Sequence, residues 1–122
     1  MSFPFENLDV YQRSLGFIEK TEVICSSLKD KSSFSIRDQM TRAALSVSLN
    51  IAEGNGRWHT KDRMHFLHIA RGSVFEIVPI IQVLNRKGVL NEEIYKASYE
   101  ELQVMAKMLT SLIKSIEAKA SL

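Results

Sequence analysis

Residues 57 to 63 read Arg-Trp-His-Thr-Lys-Asp-Arg, which places three cations, a histidine and the chain's single tryptophan within seven positions. Cations can meet phosphates while an indole stacks on an unpaired base, a stack worth roughly 1–3 kcal/mol. Arg57, Trp58, His59, Lys61 and Arg63 are therefore the candidate nucleic-acid-binding residues. The bland alternative is a solvated turn whose tryptophan covers one end of the domain. Arg63 and His68 offer a second chemistry, in which the histidine does acid–base work on an RNA 2′-hydroxyl and the arginine steadies the phosphate. Metal chemistry is poorly provided for. His59, His65 and His68 could meet around zinc, but no cysteine or repeated spacing supports it, and Asp62 with His65 is a single pair where a di-iron bundle needs two such pairs and four inward carboxylates. No cofactor or metal is expected. No Ser-His-Asp set, glycine-rich phosphate loop or activated cysteine is visible, so an enzyme is not expected.

The elements around this turn read as helices. Before it, Met40, Ala43, Ala44, Val47, Ser48, Ile51 and Ala52 recur at helical spacing and make one narrow face. Gly54 is expected to end that helix in the left-handed conformation, with Gly56 loosening the connection and Thr60 capping the next helix. That next helix is the longest, with Met64, Leu67, Ala70, Val74, Ile77, Ile81 and Leu84 inward. Gly72 costs it about 1 kcal/mol relative to alanine, which a close helix crossing would offset. Pro79 predicts a kink, and Gly88 closes the helix. Upstream, Leu8, Tyr11, Leu15, Ile18, Cys25 and Leu28 form one stripe, capped by Asn7. Residues 29–33 read as a loop, with Ser35 and Asp38, or Ser33, starting the second helix. Downstream, Asn91 caps a helix with Ile94, Ser98, Leu102, Met105, Leu109, Leu112 and Ile116 inward. Helices over about 8–28, 34–53, 60–87 and 91–119 with short connections predict an all-α fold, an up-down-up-down antiparallel four-helix bundle spanning residues 1–122 as a single domain.

Composition agrees. With 45% hydrophobic and 25% charged residues, two prolines and five glycines, the chain suits one helical core. The net charge of +2 is a weak general attraction for nucleic acid, but its distribution is uneven. Lys and Arg number six against two Asp and Glu over residues 57–90, a surplus of four, and all three histidines fall there. The lone cysteine, Cys25, permits no internal disulfide, which suits a reducing cytoplasm. The first residues have no cationic stretch followed by an apolar one, so no signal peptide is expected. No uncharged apolar run approaches the roughly 18 residues of a membrane span, so no membrane partner is expected.

Two further sets of residues carry expectations. Glu53 ends its helix against the dipole and needs a cation, with Arg57 four residues on. Asp38, Arg42, Arg71 and Glu76 are expected to include a partly buried polar network beside it. Phe17, Ile24, Leu45, Leu49, Phe75, Val78 and Ile80 lie off or beside the stripes that one bundle would bury. Together they would be a large exposed patch, which a homo-oligomer would cover.

Three blocks of the chain also resemble a known family. Phe5-Glu6-Asn7-Leu8-Asp9-Val10-Tyr11-Gln12 looks like its F-E-x-L-x-V-W-Q opening, with Tyr11 for the usual tryptophan. Gln39 to Gly54 resembles Q-x-x-R-A-A-x-S-x-x-x-N-I-A-E-G, and Phe66 to Glu76 resembles F-L-x-I-A-R-G-S-x-x-E. The family is the four-helix bundle named after proteins encoded in intervening sequences of bacterial 23S rRNA genes, which is similar to the accessory variability protein of diversity-generating retroelements. The resemblance implies a cytoplasmic bacterial bundle that assembles as a homo-oligomeric ring, a pentamer, without enzymatic activity and with a suspected role in binding RNA or DNA. Ser48 or Leu49 stands where the family often has proline, and Val78-Pro79-Ile80 replaces a more polar run. Arg63 to His68 also fits the R-x-x-x-x-H pattern of HEPN-class ribonucleases, although Met64 replaces the usual polar residue. The expectation is a ring-forming, nucleic-acid-binding bundle. The alternatives are a structural or protein-partner-binding bundle, then a ribonuclease using Arg63 and His68.

Overall fold

The computed structural model describes residues 2–28 and 34–120. A short 3-10 turn, Pro4–Asn7, leads into α1 (Asp9–Ser26), followed by α2 (Phe34–Asn55), α3 (Thr60–Arg86) and α4 (Glu92–Ala120). There is no strand among the described residues. The loop read over residues 29–33 and the Ser33 start of the second helix lie outside them.

Each helix packs against its neighbours in the chain, and α1 returns to α4 to complete the four. Cross-seam contacts show their senses. Ser14 of α1 meets Ser48 of α2 at 2.7 Å, whereas the later Cys25 approaches Thr41. Ser46 of α2 meets Ser73 of α3 at 2.8 Å, whereas the later Gly54 faces Phe66. Both seams are antiparallel. Met40, Val47 and Ile51 of α2, Ala70, Val74, Ile77 and Ile81 of α3, and Leu102, Met105 and Leu109 of α4 are buried in one core. α3 is also long and apolar enough to cross a membrane by length and composition, but here its apolar stripe faces this core.

The inner face of α1 differs from the expected stripe. Val10, Ser14, Phe17, Thr21, Ile24 and Cys25 are its buried residues, while Leu8, Tyr11 and Ile18 pack half-buried beside them. Two hydroxyls conceal the true period. Thr21 donates to the Phe17 carbonyl at 2.9 Å and Ser14 to the Tyr11 carbonyl at 2.6 Å, so both polar side chains enter the core with their hydrogen bonds made. In α4 the last turns bury Ile116 as expected together with Ile113, while Leu112 is half-buried and Ile94 exposed.

The glycines also behave differently from expectation. Gly54 stays helical inside α2 and buried, because α3 crosses at that point, and a Cβ there would lie 3.1 Å from the Arg63 carbonyl oxygen. The close crossing expected at Gly72 is therefore at Gly54, and Gly72 faces open space. Gly88, with φ +73°, closes α3 as expected. Thr60 is the first residue of α3 and not its cap, a position taken by the extended His59. Asn7 lies in the 3-10 turn and makes no cap, so α1 starts from Leu8 without a side-chain cap. Asn91 does cap α4, its Oδ1 accepting the Glu93 N–H at 2.8 Å.

Candidate nucleic-acid interface

The basic turn is built by the end of α2 and the start of α3. The chain leaves α2 through Gly56 and Arg57, whose N–H groups bond back to the carbonyls of Ala52 and Gly54 at 3.2 and 3.3 Å. It re-enters a helix when the Arg63 N–H bonds the His59 carbonyl at 3.0 Å. Trp58 sits at the apex of this tight connection. It is 96% exposed and covers nothing, which removes the alternative of a tryptophan lid. His59 and Lys61 are exposed beside it.

The two arginines of the turn are tied to the protein. Arg57 pairs with Glu53, the cation that carboxylate needed at the helix end, and its guanidinium lies 4.7 Å from the centre of the Phe66 ring. Arg63 is half-buried beside Ile51, Gly54 and Leu67, with its Nε buried and unpartnered. The exposed face of the turn is therefore Trp58, His59 and Lys61, with Arg57 at its edge.

The expected polar network does not assemble among the described residues. Asp38, Arg42 and Glu76 are exposed, and Arg71 instead donates from Nε to Thr110 Oγ1 at 2.8 Å while stacking 4.5 Å over Phe75. Asp38, Arg42 and Glu76 face solvent, Arg71 turns to α4, and serines hold the seams. Ser14–Ser48 and Ser46–Ser73 bridge the helices, and Asn50 donates to the Ser46 carbonyl and hydroxyl at 2.8 and 3.0 Å. Sequence reading missed these pairs, although the four serines Ser14, Ser46, Ser48 and Ser73 at helix-interior positions were the available signal.

The surplus apolar residues divide. Phe17 is 2% exposed and Ile80 9%, so both belong to the core and not to an interface; Ile24 is likewise buried. Val78 is half-buried. Leu45, Leu49 and Phe75 are exposed, Leu49 to 58%, and Ile69 joins them as an exposed residue that the stripes did not single out.

Little supports catalysis. Five residues along a helix turn about 140° beyond a full turn, so Arg63 and His68 sit on different faces of α3. Arg63 faces inward and His68 is exposed. Among the described residues no three of His, Cys, Asp and Glu come together as a metal site requires.

The fold and this turn define the class: an all-α four-helix bundle with a basic, tryptophan-tipped helix–helix connection. Residues 6–111 match the family model described as 23S rRNA-intervening sequence protein, and the chain belongs to that family. It is similar to the crystal structure of a protein with unknown function from the S23 ribosomal protein family of Bacteroides thetaiotaomicron VPI-5482. That likeness has a TM-score of 0.80 at 24% identity and covers 86% of this chain and 98% of the other, a correspondence of fold. No curated protein sequence matches the chain.

Proposed function

We propose that this chain is a non-enzymatic accessory protein of the cytoplasm that assembles as a homo-oligomeric ring of five subunits and binds RNA or DNA through the turn between α2 and α3. The observation that carries the binding reading is the 96% exposure of Trp58 between cationic neighbours. An indole with no packing role keeps a full face for an unpaired base, and Lys61 and Arg57 supply charge for the flanking phosphates. Support for assembly comes from Leu45, Leu49, Ile69 and Phe75, exposed apolar side chains on α2 and α3 that a second copy would cover.

The test is fluorescence anisotropy of labelled single-stranded RNA, structured RNA and duplex DNA at about 50 and 200 mM salt, where phosphate contacts weaken steeply. Wild type is compared with Trp58→Ala and with Arg57→Ala/Lys61→Ala/Arg63→Ala. Binding that falls with salt and with both variants is the expected result. Absence of binding at low salt, or equal binding by the triple variant, overturns the reading. In that case the apolar α2–α3 surface favours the second reading, a bundle that binds a protein partner with little salt dependence.

A further inference from the structure

Arginines on the helices of this fold are held in different ways. Arg13 meets the carboxylates of Asp9 and Glu101, and Arg57 meets that of Glu53. Arg71 meets no carboxylate among the described residues, yet it is fixed. Its Nε donates to Thr110 Oγ1 across the α3–α4 seam at 2.8 Å, and its guanidinium lies 4.5 Å from the centre of the Phe75 ring. With Nε committed to Thr110, the two terminal nitrogens of the fork keep their hydrogens for another acceptor. A guanidinium oriented in advance loses little freedom when that acceptor arrives.

Arg71 lines a groove of about 460 Å³ between α3 and α4. Lys107, Thr110 and Ser111 line it from α4, with Lys107 and Ser111 exposed and Arg71 and Thr110 half-buried. Among the described residues no carboxylate lines it. Thr110 also differs from the threonines of α1 and α2. Thr21 and Thr41 donate to the carbonyl four residues earlier, the usual recourse of a hydroxyl inside a helix, whereas Thr110 accepts from Arg71 and makes no such bond among the described residues. Its own proton is unspent. The groove thus presents two cations and two hydroxyls, and no charged acceptor.

That inventory selects the charge and the shape of the ligand. A cation is repelled, and an uncharged apolar group leaves the donors unused. A carboxylate has two oxygens in one plane, enough for the guanidinium fork. A phosphate spreads its oxygens in three dimensions, so that guanidinium, ammonium and hydroxyls can approach from different sides at once. We propose that the α3–α4 groove binds a phosphate group through Arg71 and Lys107, with the hydroxyls of Thr110 and Ser111 donating to its remaining oxygens. The chemistry is that of phosphate, on a free anion or on a nucleic-acid backbone, and the test separates the two. The site uses Phe75 only as backing for the guanidinium. It uses no residue of the turn between α2 and α3, so it stands apart from the binding proposed there.

The test follows the Arg71 Nε–H resonance in proton–nitrogen correlation spectra of the full chain, assigned by its loss in Arg71→Lys. Inorganic phosphate should shift that resonance saturably, while sodium chloride at equal ionic strength should not. Lys107 is exposed, so Lys107→Gln leaves the core intact, and it should weaken phosphate binding about tenfold, the worth of one charged hydrogen bond. A short oligothymidylate is then titrated into Arg57→Ala/Lys61→Ala/Arg63→Ala, which lacks the cations of the turn. A saturable Arg71 shift there assigns the groove to backbone phosphates, and a shift with inorganic phosphate alone assigns it to a free phosphate ligand. No saturable shift with either probe, an equal shift with chloride, or unchanged affinity in Lys107→Gln overturns the site. Failure of the turn as a nucleic-acid surface would leave the Arg71 shift with inorganic phosphate in place.

Discussion

Gly54 and Phe66 approach so closely across the α2–α3 seam that a Cβ built on the glycine falls 3.1 Å from the Cβ of the phenylalanine. The other near atom, the Arg63 carbonyl oxygen, belongs to the backbone, so nothing at the contact is the free end of a flexible side chain. Gly54→Ala is therefore expected to destabilise the fold by about 1–2 kcal/mol, the usual cost of overpacking, although alanine is the better helix former. Gly72→Ala adds its methyl to open space and is expected to stabilise by up to about 1 kcal/mol. Urea unfolding at fixed protein concentration measures both, and equal effects would contradict this placement of the crossing.

Ser48 holds the α1–α2 seam from inside the core. Its hydroxyl meets that of Ser14, which keeps a second bond to the Tyr11 carbonyl. Ser48→Ala is expected to cost about 1 kcal/mol, and Ser14→Ala/Ser48→Ala less than the sum of the single changes, because no hydroxyl is then left unpaired. A double-mutant cycle in urea reads the coupling.

Trp58→Ala should leave the stability of the domain within about 0.5 kcal/mol of wild type, since the side chain packs on nothing. Its nucleic-acid affinity should fall by about 1–3 kcal/mol. A thermal midpoint that drops with the substitution would mean that the indole packs in the assembled state.

Leu49→Glu places a carboxylate in the exposed apolar surface of α2, at a residue 58% exposed in the single chain. The expected outcome is a smaller assembly by native mass spectrometry with the same helix content by circular dichroism. An unchanged mass would remove Leu49 from the interface.

Burial pushes the Cys25 thiol above its ordinary value, with the hydrogen bond to Thr41 and the charge of Arg37 pulling the other way. The folded chain thus keeps the thiol proton to a higher pH than the unfolded chain does. The stability this confers is fully present below the ordinary thiol value of about 8.5 and is lost as pH rises through the native value. Alkylation by iodoacetamide should be slow in the native chain, with its rise displaced to higher pH than in urea.

The helices were legible because their signals are local. Periodic apolar residues placed α2, α3 and α4, Asn91 and Gly88 marked termini, and three motif blocks carried the family. The basic turn was legible for the same reason, since its cations and tryptophan are contiguous. Partners across a seam were not. Phe17 and Ile24 looked surplus because Ser14 and Thr21 occupy the true inner stripe of α1, and nothing local says that a hydroxyl will find a carbonyl and enter the core. Gly54 read as a helix end because a glycine with left-handed backbone and a glycine under a crossing helix are the same residue in a sequence. Which reading holds depends on where α3 lies. The charged residues Asp38, Arg42, Arg71 and Glu76 do not gather, because the register of α2 on α3, with Ser46 against Ser73 and Gly54 against Phe66, sets Arg71 near the level of Ser48 and away from Asp38 and Arg42. Sequence alone determined which segments are helical and where cations gather; the packing of one helix on another decided which side chains are core, which meet, and which remain free to bind.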